Sequence, residues 1–217
     1  MSTRIAAALV TAAILSVTFG LFLIFFSPGG KQTPEAENGF LDLTAWRFAE
    51  DGVVPLNGEW EFYPDKLLAH EHFASSSANE GGIAPVSIEV PGSWSDRMQA
   101  LGMATYRLQV KVRDPVSVYG LKTSSIQMSN RIIVNGRVVG NSGSPGDKRN
   151  YEAMNRPYAA YFTLMPGWNE IIVQVANHEF PAGSGINESI YLGYAAQISK
   201  LRDRALTHDW ISVTAFL

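Results

Sequence analysis

The sequence contains no cysteine among its 217 residues. This absence excludes disulfide bonds, cysteine-rich zinc sites and a cysteine nucleophile. An exported domain made from this chain must therefore be held together by its hydrophobic core alone. An excess of basic charge is also lacking, because 17 Lys and Arg residues stand against 20 Asp and Glu residues, for a net charge of −3. Nothing in this balance indicates nucleic-acid binding.

Motifs of common catalytic sites are missing as well. The chain has no Gly-x-Ser-x-Gly elbow and no Gly-x-x-x-x-Gly-Lys phosphate loop. His70 and His72 lie two residues apart in a helical-looking segment, which points them in different directions, and no third ligand is evident. The sequence therefore predicts neither catalysis within this chain nor a metal or cofactor site. The acidic residues that a glycosidase pair would need are scattered without a local motif, at Asp96, Asp114, Asp147, Glu152, Glu179 and Glu188.

One long hydrophobic run is present, at the N-terminus. Residues 5–26 carry no charge, and a helix needs about 20 apolar residues to cross the hydrocarbon core of a bilayer. We interpret residues 1–27 as a membrane anchor. A cleaved signal peptide is the alternative, although its apolar region would usually be shorter and end in a small-x-small site. Arg4 before the run favours a cytoplasmic N-terminus, which places residues after about 28 on the extracytoplasmic side of the cell membrane.

The anchor is followed by a predicted linker and then by a predicted folded domain. Residues 28–38 contain Gly, Pro and Glu without an apolar period, which is typical of a linker. Residues 39–200 are predicted to form the extracytoplasmic domain. Within it, Thr105–Arg113 alternates apolar and polar residues with period two. The pattern predicts an antiparallel strand whose buried side chains are Tyr106, Leu108, Val110 and Val112.

The stretch from Arg131 to Asn177 contains the clearest turn signal. Asn135-Gly136 separates two β-rich runs, and a type I′ hairpin turn needs positive φ at both central residues. Eight or nine short strands, with no long amphipathic helix before Lys200, predict an all-β antiparallel jelly roll or β-sandwich. We also expect Ala195–Ile198 to extend the last strand.

The composition changes in the C-terminal residues 201–217. A helical-looking segment from Leu201 contains several charged residues, and the chain then ends in the apolar run Ile211–Leu217. We interpret this region as a juxtamembrane segment and the start of a following transmembrane helix. The alternative is a short C-terminal helix docked on the sandwich.

Six sequence pieces occur in a fixed order, namely NGEWEFYPDKLL, VPGSW, GMATYRLQVKV, IIVNGRVVGNSG, GWNEIIVQVANH and IYLGYAAQI. In this order they resemble the extracellular sensor module of bacterial seven-transmembrane receptors with diverse intracellular signalling modules, over roughly Gly39–Leu206. The resemblance implies a galactose-binding-like jelly roll that senses a carbohydrate or related small molecule. It further implies signalling through membrane helices to a kinase, cyclase or phosphatase output that these 217 residues do not contain. A homodimer through the membrane region is a further expectation.

A more distant similarity concerns glycosidases. The pieces VPGSW, YR, VNGRVVG and GWNEIIVQVAN are similar to elements of the sugar-binding jelly roll of β-galactosidase-type and β-glucuronidase-type enzymes. This similarity leaves an alternative function open, a carbohydrate-binding accessory domain of an exported glycosidase. A third alternative is an interaction module that binds protein and no small molecule.

The candidate ligand-binding residues lie at loop ends or on the polar face of a strand. Sugar binding requires an aromatic platform with a few fixed hydrogen-bonding groups. Trp94 follows a Pro-Gly turn and either projects from a loop end or caps the core. Arg107 faces the polar side of its strand, towards solvent or towards a ligand. The other candidates close the long loop or leave a strong strand, and they are Arg156, Tyr158, Asn177 and His178. We expect Trp94, Arg156 and His178 to converge on one cleft.

Overall fold

The computed structural model describes residues 13–19, 31–74, 84–114 and 117–214, except for the side chains of 74 and 206–214. Most of the predicted anchor, part of the linker and the last three residues lie outside the described residues. In the described part of the chain, we find no helix that is both long and apolar enough to cross a membrane. The chain divides into two units, Met1–Gln32 and Thr33–Leu217. Residues 13–19 of the first unit are helical.

The second unit is a mostly antiparallel β-sandwich, as the sequence predicts. Its larger sheet contains β1 (Phe40–Asp42), β3 (Gly58–Pro64), β4 (Val86–Val90), β5 (Gly102–Val112), β8 (Ser129–Val134), β9 (Arg137–Ser142) and β11 (Gly167–Asn177). The strand order is β4-β3-β5-β11-β8-β9, and β1 pairs in parallel with the end of β5. The central strands β5 and β11 are antiparallel over eleven residue pairs, from Gly102↔Asn177 to Val112↔Gly167.

The opposing sheet is smaller. It contains β2 (Val54–Pro55), β6 (Ser117–Lys122), β10 (Ala159–Leu164) and β13 (Tyr191–Tyr194), in the order β10-β6-β13-β2. A separate antiparallel pair joins β7 (Ile126–Gln127) to β12 (Gly185–Ile186). The core lies between the sheets and is rich in aromatic and branched side chains.

The period-two prediction for the central strand is confirmed. Tyr106, Leu108, Val110 and Val112 are at most 2% exposed, and they point into the core. The residues between them face the other side of the sheet, because successive side chains of a strand alternate. This outer face carries the polar side chains of the sheet, including that of Arg107.

The predicted hairpin is also confirmed. Asn135 and Gly136 connect β8 to β9 with φ values of 47° and 78°, the positive values that a type I′ turn needs. The Asn135 side chain has a further role, because its Oδ1 accepts from the backbone N–H of Glu170 at 2.8 Å. Its Nδ2 donates to Asn169 Oδ1 at 2.8 Å. The turn is thereby tied to β11.

The helices described in the second unit are α1 (Phe48–Asp51), α2 (His70–Ala74) and α3 (Ala195–Thr214). The helical character of the C-terminal segment is confirmed, but the expected strand over Ala195–Ile198 is wrong, because α3 begins there. Gln197 explains the early start: its Oε1 accepts from the backbone N–H of Tyr194 at 2.9 Å. This contact satisfies one of the N–H groups that the first turn of a helix leaves without a partner.

Candidate functional site

Trp94 lies in the core. Its side chain is 0% exposed, its Nε1 donates to the carbonyl of Gln99 at 3.0 Å, and its ring centroid lies 6.2 Å from that of Phe62. The structure thus agrees with the core-capping interpretation of Trp94. Trp94 therefore cannot serve as the aromatic platform of the cleft predicted from Trp94, Arg156 and His178. Burial of so large a ring is favoured over its exposure to water.

Arg107 is bound within the outer face of the large sheet. Its Nη1 donates to Glu61 Oε2 at 2.8 Å, and its Nε donates to Glu170 Oε1 at 2.7 Å. The Phe73 ring of α2 covers the guanidinium at 4.4 Å. Burial alone would lower the pKa of Arg107, but the hydrogen bonds that it donates to the two carboxylates, together with their negative charge, outweigh burial, so the pKa is raised. The guanidinium of Arg107, which the sequence predicts to contact a ligand, is therefore bound by the side chains of Glu61, Glu170 and Phe73.

The same network includes the first histidine of the His70-x-His72 pair. His70 Nδ1 lies 2.6 Å from Glu170 Oε2, and Tyr63 donates its hydroxyl to Glu61 Oε2 at 2.8 Å. In the described residues no group of three or more potential ligands from His, Cys, Asp and Glu is arranged to hold a metal ion. Both carboxylates accept from Arg107, and Glu170 also contacts His70 of α2, so the network joins β3, β5, β11 and α2 and stabilises the fold.

Asn177 and His178 hold loops at one end of the sandwich. Asn177 is 0% exposed, and its Nδ2 lies within hydrogen-bonding distance of the carbonyls of Ala100, Phe180 and Gly183. His178 Nε2 lies 2.9 Å from the carbonyl oxygen of Gly146. These contacts use both side chains to fix the backbone.

Arg156 and Tyr158 lie in the segment that returns from the long loop to β10. The Arg156 side chain is exposed, and its backbone N–H donates to Ser142 Oγ at 2.9 Å. The Tyr158 hydroxyl donates to Asn130 Oδ1 at 2.8 Å, and burial raises its pKa. The backbone of Tyr158 exchanges hydrogen bonds with Thr123, which joins this segment to the loop after β6.

A cavity of about 670 Å³ opens beside this segment. We refer to it as the α3 cavity, because the sandwich loops form one wall and α3 forms the other. Its lining residues are Lys122, Thr123, Ser124, Ser125, Asn155, Pro157, Tyr158, Glu188, Arg202 and Ala205. The volume falls in the range of pockets that hold small ligands, about 300–1,000 Å³.

The polar groups of the α3 cavity suit a ligand with several hydroxyl groups. Lys122 contributes a cationic side chain and Glu188 a carboxylate. Arg202 contributes a guanidinium that is paired with Asp203, since its Nη2 donates to Asp203 Oδ1 at 2.9 Å. Asn155 Nδ2 donates to Ser125 Oγ at 3.2 Å, which connects the two loops of the sandwich wall. Amide, hydroxyl and charged groups together can donate to and accept from sugar hydroxyls.

The helical wall of the cavity is packed onto the small sheet. A Cβ added at Gly120 of β6 would lie 3.1 Å from Ile198, so the missing side chain lets α3 approach closely. Tyr161 of β10 and Ser199 share a hydrogen bond of 2.8 Å between their hydroxyls. Gln197 Nε2 donates to the carbonyl of Phe48. These contacts set the position of Arg202 one turn further along α3.

Of the six sequence candidates, Tyr158 lines the α3 cavity and Arg156 adjoins it in sequence. Sequence reasoning missed Lys122, Asn155 and Arg202. The polar run Thr123-Ser124-Ser125 between two strands was a visible loop signal. The opposite wall could not be inferred, because it depends on how α3 packs.

No protein-family model matches the chain, and no curated protein sequence does. Solved structures of glycosidases are similar to 64% of it. One is the GH2 β-galacturonidase of Eisenbergiella tayi bound to galacturonate, at 18% identity and TM-score 0.44. Another is the β-glucuronidase of Ruminococcus gnavus in complex with D-glucuronic acid, at 20% identity and a TM-score of 0.45. A third is the β-glucuronidase of an uncultured Clostridium species, at 19% identity and a TM-score of 0.46.

The matched segment spans only 24%, 29% and 28% of those three chains, respectively. Galacturonate is bound in the first of these structures and D-glucuronic acid in the second.

Proposed function

We propose that the β-sandwich is a non-catalytic binding module for a small polyhydroxylated ligand, a sugar or sugar acid, held in the α3 cavity. The observation that carries the proposal is the mixed lining of this cavity, in which charged, amide and hydroxyl groups lie side by side. Lys122, whose Nζ lies 3.4 Å from Ser124 Oγ, favours a ligand with a carboxylate, because charge-assisted hydrogen bonds are stronger than neutral ones.

We further propose that the module is the extracytoplasmic sensing domain of a membrane receptor, with a galactose-binding-like jelly roll. Two features support this assignment. The sequence carries an uncharged run at residues 5–26 that is long enough for a membrane anchor. The cavity is shared between the sandwich and α3, so an occupant would contact both and stabilise the helix in its packed position.

The accessory domain of a longer glycosidase is the second candidate. This candidate is favoured by the part of the cavity wall that the sandwich supplies without α3. That part includes Lys122 at the end of β6, with Asn155 and Glu188. An accessory domain needs only to retain its ligand. A sensing domain must also transmit occupancy to another element, and α3 is the element that the cavity offers.

The test is isothermal titration calorimetry on the full chain, purified in a detergent without a sugar headgroup. D-glucuronate, D-galacturonate, D-glucose and D-galactose serve as probes. We expect a sugar acid to bind more tightly than its neutral counterpart. Lys122→Met should weaken that binding about tenfold, which corresponds to about 1.4 kcal/mol. The matched control is Lys148→Met, since Lys148 is an exposed lysine outside the cavity lining.

Unchanged affinity in the Lys122→Met variant, or no binding of any probe, would contradict the cavity assignment. Hydrogen exchange separates the two uses of the module. Slower exchange over residues 197–205 with bound ligand supports a sensing domain. Binding without any change in α3 supports an accessory domain.

A further inference from the structure

Two aromatic rings stand exposed on the outer face of the large sheet, away from the α3 cavity. Phe40 of β1 is 48% exposed and Trp168 of β11 is 51% exposed. Their ring centroids are 5.6 Å apart, with 79° between the ring planes. Of the four tryptophans whose side chains are described, the other three are buried in the core. Two large rings in contact form an exposed apolar patch, and such patches are surfaces at which ligands and partners can bind.

The backbone that carries Trp168 is held rigidly. Asn169 Oδ1 accepts from the backbone N–H of Met165 at 3.0 Å, and its Nδ2 donates to the Met165 carbonyl at 2.8 Å. Gly167 lies between them at φ +94°, a conformation that L side chains rarely adopt. The turn before β11 therefore presents Trp168 on an ordered backbone.

The backbone that carries Phe40 is equally restrained. Phe40 and Glu37 exchange two backbone hydrogen bonds of 2.9 Å. Gly39 donates to the Glu59 carbonyl at 3.0 Å and accepts from the Gln109 N–H at 2.8 Å. Both rings are thus presented on ordered backbone, which lowers the entropy lost on binding a ligand.

Polar groups of opposite charge flank the rings. Lys111 Nζ lies 5.4 Å from the centroid of the Trp168 ring, and 3.9 Å from Asp42 Oδ2. Both charged side chains are more than one-third exposed. The local charge is balanced, so the surface complements a neutral ligand. An ammonium and a carboxylate beside an aromatic ring can donate to and accept from hydroxyl groups of such a ligand.

We propose that the Phe40–Trp168 surface, formed by Phe40, Trp168, Lys111 and Asp42, binds pyranose units of a neutral polysaccharide. Because the ring planes meet at 79°, the C–H groups on one face of a pyranose would pack on the exposed part of one ring and contact the edge of the other. Its hydroxyls would hydrogen-bond to Lys111 and Asp42. This surface is distinct from the α3 cavity. The cavity adjoins the start of β10, whereas the turn before Trp168 follows the other end of that strand.

The test is native gel electrophoresis of the full chain through gels that contain hydroxyethylcellulose, xylan, galactan or polygalacturonate, in a neutral detergent without a sugar headgroup. We expect at least one neutral polysaccharide to retard the protein. Trp168→Ala and Phe40→Ala should each weaken this retention about tenfold. Val118→Ala is the matched control, because Val118 is an apolar side chain exposed on the small sheet. Monosaccharide binding at the α3 cavity should not change in the Trp168→Ala variant.

Three results would overturn the proposal. The first is retention by none of the neutral polysaccharides, or by polygalacturonate alone. The second is retention of the Trp168→Ala and Phe40→Ala variants equal to that of the unmodified chain. The third is self-association in analytical ultracentrifugation that Trp168→Ala abolishes without any effect on polysaccharide retention, which would make the surface an interface between copies.

Discussion

Arg107 and Glu170 are joined across the central strands β5 and β11 by a hydrogen bond of 2.7 Å from Nε to Oε1. The Glu170 side chain is 7% exposed and that of Arg107 is 17% exposed. Removal of one partner from such a pair leaves a buried charge without compensation, which costs about 3–5 kcal/mol. We therefore expect Arg107→Met to lower the free energy of unfolding by about 3 kcal/mol, as measured by urea denaturation of the full chain.

A triple variant provides the control for this prediction. Glu61→Gln and Glu170→Gln remove the two negative charges that Arg107 neutralises. Added to Arg107→Met, they should restore part of the lost stability. If Arg107→Met alone is as stable as the unmodified protein, the network of Arg107, Glu61 and Glu170 contributes little to the free energy of unfolding.

Trp94→Ala should destabilise the fold by about 3–5 kcal/mol, because it removes a fully buried ring and leaves a cavity. Thermal or urea unfolding measures this loss. Trp168→Ala is the matched control and should change stability by about 0.5 kcal/mol or less, since Trp168 is half exposed. Equal effects of the two substitutions would disagree with the burial of Trp94.

Asn177→Ala should loosen the loop that follows β11. The variant leaves the carbonyls of Ala100, Phe180 and Gly183 without the Asn177 donor, together with the Phe180 N–H that its Oδ1 accepts at 2.9 Å. We expect a loss of about 2 kcal/mol and faster hydrogen exchange over residues 178–184. If hydrogen exchange becomes faster over the whole sandwich and not specifically over residues 178–184, Asn177 does not act mainly on this loop.

Gly120→Val should displace α3 from the small sheet. A Cβ at this position already lies 3.1 Å from Ile198 and from the Tyr161 ring, so the larger side chain forces the helix outward. Hydrogen exchange over residues 197–205 should accelerate, and ligand affinity at the α3 cavity should fall. Val118→Ala on the same strand is the control. If the ligand affinity of Gly120→Val is unchanged although hydrogen exchange shows that α3 is displaced, α3 is not part of the binding site.

Alkaline stability should depend on Tyr194. The hydrogen bond of its hydroxyl to Asp114, followed by burial, raises the pKa of Tyr194 from 10.0 to about 12. Between pH 10 and pH 12 the unfolded chain releases this proton while the folded chain retains it, so stability falls as the pH rises through this window. The decline should be shallower in Tyr194→Phe, as measured by urea denaturation at a series of pH values. If the free energy of unfolding falls equally steeply with pH in Tyr194→Phe and in the unmodified protein, the pKa of Tyr194 is not raised in the folded state.

Local sequence was enough to predict the strand-rich architecture and two of its details. The alternation along Thr105–Val112 specifies which side chains are buried, because a strand points successive residues to opposite faces. The Asn135-Gly136 pair specifies a hairpin, because few other residues accept its two positive φ values. Helical character after Leu201 was visible too. Its start at Ala195 was missed, since a side-chain contact from Gln197 sets that boundary.

Tertiary packing decided everything that concerns the sites. Trp94 is compatible with a loop end or with the core, and only the surrounding sheets place it inside. Arg107 acquires Glu61 and Glu170 from strands 46 and 63 residues away in the chain. The α3 cavity likewise joins the loop after β6 to residues of α3. Such partners are brought together by strand order and helix packing, which depend on contacts between residues distant in sequence and leave no local pattern.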